Sequence, residues 1–532
     1  MRSGRMAHFC MTVSFIVLLA GLATDLRAQG QKPNIVVIWG DDIGFWNLSV
    51  YSHGAMGYRT PNIDRIGKEG AVFSDHYAQP SCTAGRAAFI TGQLPIRSGM
   101  VTVGTPGSTL GLKPETVTLG EVLKVQGYAT GQFGKNHLGD RNEHMPTVHG
   151  FDEFFGNLYH LNVSEEPEED GYPTDPAFRQ KYGPRGVLHC WATSTETPGE
   201  DPRFGKWGKQ RCDDTGQLTR KRMEHVDDEF IDAGFKFMDK AAAEKKPFFI
   251  WFATSRMHVL THPPAEYLER CKQYTSGDDP QCAGMLQHDE NVGQILKKVD
   301  DMGIANNTIV IYSTDNGPEH STWPYGATTP YRSEKMTTWE GAVRVPMMVR
   351  WPGHIVPGTD LNGIQSNEDV FTTLAAAAGA PDVRERLAKG DDFGTGVVKK
   401  NYIDGINQLD YWTGKTDKSA RNFIIYYAES HLKGVRVNQW KLLFGSTRDG
   451  YYGPSQDIEL AWLFNIRQDP FESYDQAPGP RATLMQTHTY LEYMVQDILT
   501  EHIKSLREFP PAQKGASLNF DEMMQAIPKV PH

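Results

Sequence analysis

The sequence predicts an α/β fold: a large, mostly parallel sheet sandwiched by helices, with a smaller C-terminal α+β domain behind it. Three observations lead there. Asn34 to Trp39 is a continuous apolar, β-branched run, the pattern of a strand buried on both faces. Strand-like runs then alternate with helix-period segments as far as residue 313, as βαβ units do. After about Lys418 the texture changes to short strand-like pieces.

The elements follow in order. Thr60-Pro61 opens a helix with a capping residue and a proline in the first turn, and Gly70 closes it. Thr118 to Val125 reads as a helix stopped by Gly127, and strand Tyr128 to Phe133 follows. His225 to Glu244 has helical periodicity, and Pro247 leads into strand Phe248 to Ala253. Leu286 to Met302 is a further helix, ended by Gly303 and followed by strand Thr308 to Ser313. Between Asn157 and Arg222 the pattern breaks into a Gly-, Pro- and aromatic-rich stretch with an acidic run at Glu165 to Asp170, read as an irregular insertion. The late strands are Phe423 to Tyr427, Gly434 to Phe444 and Ala461 to Asn465, with helix Thr483 to Ser505 after them. The expected organisation is a leader at 1–28, an α/β domain at 29–418 with the insertion at 157–222, and an α+β domain at 419–532.

Composition narrows the function classes. Of 532 residues, 39% are apolar and 11% aromatic, which excludes a disordered chain. Asp plus Glu outnumber Lys plus Arg by 65 to 54, a net charge of −11 that argues against nucleic acid as a partner. Arg2 and Arg5 followed by the apolar run Met11 to Ala23, with Leu26-Arg27-Ala28 as a cleavage site, form a secretory signal. The run is too short for a comfortable membrane span, so the mature protein is expected to be periplasmic or secreted, with no membrane attachment. Removing Cys10 with the leader leaves five cysteines; Cys190/Cys212 and Cys271/Cys282 would close two local loops, although four cysteines allow three pairings. Cys82 is the odd one out.

Polar residues gather where strands end. In open α/β sheets ligands bind at the carboxyl ends of strands, and four such ends here carry chemistry: Asp41-Asp42, Lys135-Asn136-His137, Arg256-Met257-His258 and Asp315-Asn316-Gly317. A single Asp after a strand is often a helix cap, but four such ends in one sheet point to a site. Asp41, Asp42, Asp315 and Asn316 are hard oxygen donors suited to calcium or magnesium rather than zinc or copper. In Ser81-Cys82-Thr83-Ala84-Gly85-Arg86 the apolar run after Arg86 is helical, so Cys82 falls at a helix start where amides and dipole favour negative charge. Arg86 lies one turn on and on the same face. Most of the 18 histidines, His76, His149 and His160 among them, read as surface or structural.

Cys82-Thr83-Ala84-Gly85-Arg86 resembles the sulfatase signature, in which the cysteine is oxidised to formylglycine. Asn34 to Ile38 with Asp41-Asp42 resembles the family's first metal strand, Gly134 to Gly139 its Gly-Lys-x-His-Leu-Gly element, Ser313 to Gly317 its second metal element, and Glu334 to Gly341 its lysine-bearing loop. The similarity runs from Lys32 onward and includes the C-terminal domain. It implies hydrolysis of sulfate monoesters, arylsulfatase type, by a formylglycine hydrate at position 82 with a bound Ca2+ or Mg2+. The metal set it implies is Asp41, Asp42, position 82, Asp315 and Asn316, and the catalytic set Cys82, Arg86, Lys135, His137, His258 and Lys335. Arg86, Lys135 and Lys335 would form an anion pocket, Asp315 would accept the proton of the attacking hydroxyl, His258 with Lys335 would protonate the departing alcohol, and His137 would release sulfate. Arg256-Met257-His258 departs from the usual Pro-His, which leaves His262 as a rival for that proton. The implied partners are an aryl, sugar or polysaccharide sulfate and a formylglycine-generating maturation enzyme. Two other readings are a phosphate or phosphonate monoester hydrolase on the same fold and a catalytically silent carbohydrate-binding relative with an unmodified Cys82.

Overall fold

In this computed structural model the residues described are 32–519, apart from 276, 323, 327, 394–395, 448–449, 451–452, 454 and 477. The leader expected at 1–28 lies outside them.

The strands, in chain order, are β1 (Asn34–Gly40), β2 (Ala71–Tyr77), β3 (Ala129–Gly134), β4 (Glu153–Gly156), β5 (Leu188–Asp201), β6 (Gly205–Asp214), β7 (Phe248–Ala253), β8 (Thr308–Thr314), β9 (Arg344–Arg350), β10 (Thr359–Leu361), β11 (Gln365–Ser366), β12 (Phe423–Ala428), β13 (His431–Val437), β14 (Trp440–Thr447) and β15 (Ser455–Asn465). The first eleven form one sheet in the order β10-β2-β9-β8-β1-β7-β3-β4-β5-β6, with β11 beside β2. Its centre, β8-β1-β7-β3-β4, is parallel throughout. β9 and the β5–β6 hairpin run antiparallel to their neighbours. The expected mostly parallel sheet is therefore present.

The unbroken apolar character of β1 has a direct cause: successive side chains of a strand point to opposite faces, and here both faces are covered. Ile35, Val37 and Trp39 enter one core, with Phe89, Trp251 and Phe371; Val36 and Ile38 enter the other, with Phe230, Ile250 and Val292. Fully burying each such side chain stabilises the fold by about 1.5–3 kcal/mol. The covering helices include Pro61–Lys68, Cys82–Thr91, Leu119–Val125, Val226–Ala243, Pro280–Asp301 and Asn367–Ala377. Among the described residues no helix is long and apolar enough to cross a membrane.

Three expectations need correction. The 157–222 stretch is not irregular throughout, because its second half is the β5–β6 hairpin, which carries the sheet beyond β4. Half-exposed, bulged strands rich in Thr, Gly and charge have no apolar run to betray them. The expected strand Gly434 to Phe444 is two strands, β13 and β14, with Val437 opposite Trp440 and Asn438 in the left-handed region at φ 51°. The late helix is also two, Pro478–Thr487 and Tyr490–Glu508. Thr487 Oγ1 donates to the Thr483 carbonyl (2.9 Å) and the His488 ring sits 2.9 Å from the Leu484 carbonyl, satisfying the first helix's end.

β12–β15 form a second, antiparallel sheet, packed through Val435, Val437, Leu442 and Leu463 against Met485, Leu491 and Val495 of the two late helices. Disulfides join Cys190 to Cys212 and Cys271 to Cys282, and Cys82 is free. Where the second sheet meets the first, charges are buried. Arg436 of β13 forks onto Asp75 of β2 at 2.8 and 2.9 Å, and Lys441 of β14 reaches Glu340 at 3.1 Å and Glu472 at 2.7 Å, all fully buried. Removing one partner of such a group leaves an uncompensated buried charge. Lys441→Met is thus expected to cost about 3–5 kcal/mol at neutral pH, read from urea unfolding.

Candidate functional site

The site lies at the carboxyl ends of the central strands. Asp41 and Asp42 follow β1, Lys135 to His137 follow β3, His258 follows β7, and Asp315 and Asn316 follow β8. Backbone bonds stitch these exits together: Asp41 N donates to the Arg256 carbonyl and Met257 N to the Asp41 carbonyl, both at 2.7 Å, which fixes where His258 emerges. Arg256 itself is structural, its guanidinium held by the Met223 carbonyl (2.7 Å) and Gln287 Oε1 (2.9 Å). Cys82 opens the helix Cys82–Thr91 after an extended Ser81. Gly85 lets that helix start sit against β8's exit, since a Cβ there would overlap the Asp315 carbonyl oxygen. Asp42 (φ 59°) and His137 (φ 58°) occupy the left-handed region, a strained conformation held by its surroundings.

All ten residues singled out from the sequence meet here, none more than 4% exposed. Cys82 Sγ lies 3.7 Å from Asp41 Oδ1 and 3.9 Å from Asp42 Oδ1. Lys135 Nζ is 2.5 Å from Asp41 Oδ2, and Lys335 Nζ is 2.9 Å from Asp42 Oδ2. Arg86 reaches Asp315 through Nε at 2.9 Å and Nη2 at 2.8 Å, and Asp41 at 3.5 Å. Asn316 Nδ2 donates to Asp42 Oδ1 at 2.6 Å. Thr83 Oγ1 donates to the His137 carbonyl at 3.1 Å, tying the cysteine's helix to the histidine's loop.

The electrostatics suit a hard cation. Oxygens of Asp41, Asp42 and Asp315 lie within 4.8 Å of one another. Burial, and then their own mutual repulsion, push Asp42 up to about 8 and raise Asp315. Burial would also raise Asp41, but Lys135, Arg86 and Lys335 outweigh it and hold that carboxyl low. Asn316 Oδ1 is buried with no hydrogen-bond partner among the described residues. An orphaned amide oxygen beside three crowded carboxylates, with no imidazole needed, fits calcium or magnesium.

Cys82 departs from expectation as a thiol. Burial, joined by Asp41 and Asp315, pushes it well above the ordinary thiol range despite Lys135 and Lys335, so unmodified it is a poor nucleophile. Burial and then Lys135 hold His137 far below the usual imidazole range, and both its ring nitrogens lack partners among the described residues. His258 Nδ1 faces the Val259 carbonyl at 3.0 Å, which assigns the proton to Nδ1 and leaves the Nε2 lone pair toward Lys335 Nζ at 3.5 Å. His262 is engaged elsewhere, its Nε2 2.6 Å from Glu165 Oε2.

Two residues escaped sequence reasoning. His160, read as surface or structural, stacks on His258 (5.5 Å, 13° between planes) and meets His137 edge-on at 5.6 Å. Glu319, 7% exposed, accepts from Lys335 Nζ at 3.0 Å. The missed signal was the same for both: each follows a strand's carboxyl end, β4 and β8. With Glu319 the site holds four carboxylates (Asp41, Asp42, Asp315, Glu319) against three cations (Arg86, Lys135, Lys335), so a divalent ion turns the pocket net positive.

A match to the Sulfatase family spans residues 33–380. The chain belongs to the sulfatase family. This sulfatase is 29% identical to arylsulfatase A of Homo sapiens, over 93% of either chain, and 32% identical to N-acetylgalactosamine-6-sulfatase of Rattus norvegicus, over 91% of this chain and 88% of the other. Among solved structures it resembles the PsFucS1 sulfatase from Pseudoalteromonas sp. (TM-score 0.74, 26% identity, covering 93% and 94% of the two chains). It also resembles Ps i-CgsB in complex with k-i-k-neocarrahexaose (TM-score 0.67, 25% identity, 94% and 98%). As a sulfatase it is a sulfuric ester hydrolase.

Proposed function

We propose that this sulfatase hydrolyses sulfate monoesters with formylglycine, made from Cys82 by a maturation enzyme, as its nucleophile and with one calcium or magnesium ion. The observation that carries the reading is the position of Cys82 Sγ, within 4 Å of two carboxylates of a crowded oxygen cluster and ringed by three buried cations. Asp41, Asp42, Asp315 and Asn316 would hold the cation. Hydrated formylglycine supplies a pair of geminal hydroxyls and the cation supplies positive charge that polarises sulfate oxygens, worth several kcal/mol.

The chain's own residues do the rest. Arg86 orients Asp315, which accepts a proton at position 82. Lys135 and Lys335 bind the sulfate oxygens, an anion hole built before the substrate arrives. The proton for the departing alcohol is held on the Lys335 ammonium and passes by way of His258, whose Nε2 lone pair faces it. His137, kept neutral by burial and then Lys135, is the base that takes up a proton at position 82 as sulfate leaves. His160 packs the two histidines apart and in register.

A sulfated saccharide is the substrate class the relatives support, given one named for a galactosamine sulfate and one structure holding a neocarrahexaose. Export to the periplasm or medium belongs to the same proposal.

Paired rates on 4-nitrophenyl sulfate and 4-nitrophenyl phosphate test it. The sulfate is expected to turn over faster by a hundredfold or so in kcat/KM, a difference of about 2.7 kcal/mol in transition-state stabilisation. Chelation should remove the activity, and calcium or magnesium should restore it; a faster phosphate, or recovery by zinc alone, contradicts the proposal.

A further inference from the structure

Lys335 is held from three sides. Its ammonium lies 2.9 Å from Asp42 Oδ2, 3.0 Å from Glu319 Oε2 and 3.5 Å from His258 Nε2, and it is 3% exposed. The oxygens of Asp42 and Glu319 and the nitrogen of His258 form a compact cage within 4.8 Å of one another, and the ammonium occupies it.

The two carboxylates of the cage are not equivalent. Asp42 has other duties: its Oδ1 accepts from Asn316, and it belongs to the oxygen cluster that suits a divalent cation. Glu319 has none. Its Oε2 faces Lys335, and its Oε1 accepts from Ser321 Oγ at 2.7 Å, so both oxygens are oriented by neighbouring side chains. The two segments are also sewn together by backbone. Lys335 N donates to the Pro318 carbonyl at 2.9 Å, and His320 N donates to the Glu334 carboxylate. A carboxylate this well fixed holds an ammonium to one spot, where a lysine's four-carbon stem would otherwise let it wander.

We propose that Glu319 is a positioning residue, which holds the Lys335 ammonium against His258 Nε2 and so governs how well the departing alcohol is protonated. The inference rests on the sulfatase reading above and adds to it a residue that touches neither position 82 nor the oxygen cluster by hydrogen bond. The proton balance is simple: as the ester C–O–S linkage breaks at the S–O bond, the alcohol oxygen gains a proton that the Lys335–His258 pair loses, and the pair regains one from water after release. Without Glu319 the charge remains on Lys335 but its aim does not.

The consequence is a dependence on leaving group. Phenyl sulfate releases a basic phenolate that needs the proton, whereas 4-nitrophenyl sulfate releases a stable phenolate that hardly does. In matured, calcium-loaded enzyme, Glu319→Gln keeps the volume and an oxygen acceptor and removes the charge. It is expected to lower kcat on phenyl sulfate about 30-fold and on 4-nitrophenyl sulfate less than about threefold, with KM on either changed by less than about twofold. In a Lys335→Met background the same substitution should cost nothing further, because the group it positions is gone. The calcium-induced rise in melting temperature should match wild type, showing that the cation site and the fold are intact. Glu319→Asp keeps the charge but withdraws it by one methylene; it should give a smaller loss with the same leaving-group dependence, and it decides the matter if the Gln variant does not fold. Equal losses on both esters, a loss that persists without Lys335, or a raised KM with kcat kept would each overturn the proposal. Wild-type enzyme that turns over neither ester would instead overturn the sulfatase reading beneath it.

Discussion

Cys82→Ser is expected to abolish turnover of a sulfate ester, a loss on the order of 10⁴-fold or more, while the protein melts within a few degrees of wild type. Position 82 is buried in the polar pocket where it meets Asp41 and Asp42, and serine fits there, is slightly smaller and can donate to the same carboxylates. What serine lacks is a second hydroxyl on the same carbon. It can present an oxygen nucleophile but offers His137 no proton whose removal would release the sulfate. Cys82→Ala should be equally inactive, which separates the two explanations: if only an oxygen were needed, serine would work and alanine would not. Turnover by the serine variant close to that of the matured wild type would show that a single hydroxyl suffices.

Asp42→Asn is expected to produce the second-largest effect, a fall of about 10²–10³-fold in kcat/KM with a matching loss of calcium affinity, measured by calcium titration of activity and of melting temperature. The substitution is isosteric, but its single amide oxygen can accept from Asn316 or from Lys335 and not from both, so it removes the charge and one acceptor with little change of shape. Its effect on stability has a definite sign. Burial, and then Asp41, Glu319 and Asp315, raise the Asp42 carboxyl to about 8 in the cation-free protein against the opposing pull of Lys335. A raised carboxyl binds its proton more tightly folded than unfolded. The cation-free wild type therefore gives up this contribution as the pH climbs from the ordinary carboxylate range toward 8. The asparagine variant has no such proton to lose and should be the less pH-sensitive of the two when calcium is absent. With calcium bound the wild type's loss over this pH range should disappear, because the cation then favours the ionised form.

Much of this was legible in the chain. β1, β7 and β8 are buried on both faces, so their apolar runs stand out, and the polar residues immediately after them are conspicuous by contrast. That contrast located Asp41, Asp42, His258, Asp315 and Asn316. Cys82 and Arg86 were legible because one turn of helix sets their spacing. The β5–β6 hairpin was not legible, since an edge hairpin with bulges and one wet face carries neither alternation nor an apolar run. His160 was missed because its meaning is purely spatial: nothing in Leu158-Tyr159-His160 says that the ring will lie flat on one from a residue almost a hundred positions later. Glu319 follows the Asp315-Asn316 pair closely, but its partner Lys335 lies across a loop whose path only the fold defines. The proposed preference for His258 over His262 also rests on coordinates, since Glu165 engages His262.

The central claim is that an oxidised side chain at position 82 carries the reaction. Tandem mass spectrometry of the peptide containing residue 82, from active enzyme purified out of its natural host, tests that most directly. The account predicts an aldehyde there, trapped by a hydrazine reagent and present in proportion to specific activity across preparations. A fully active preparation with only an ordinary thiol at that position would contradict it.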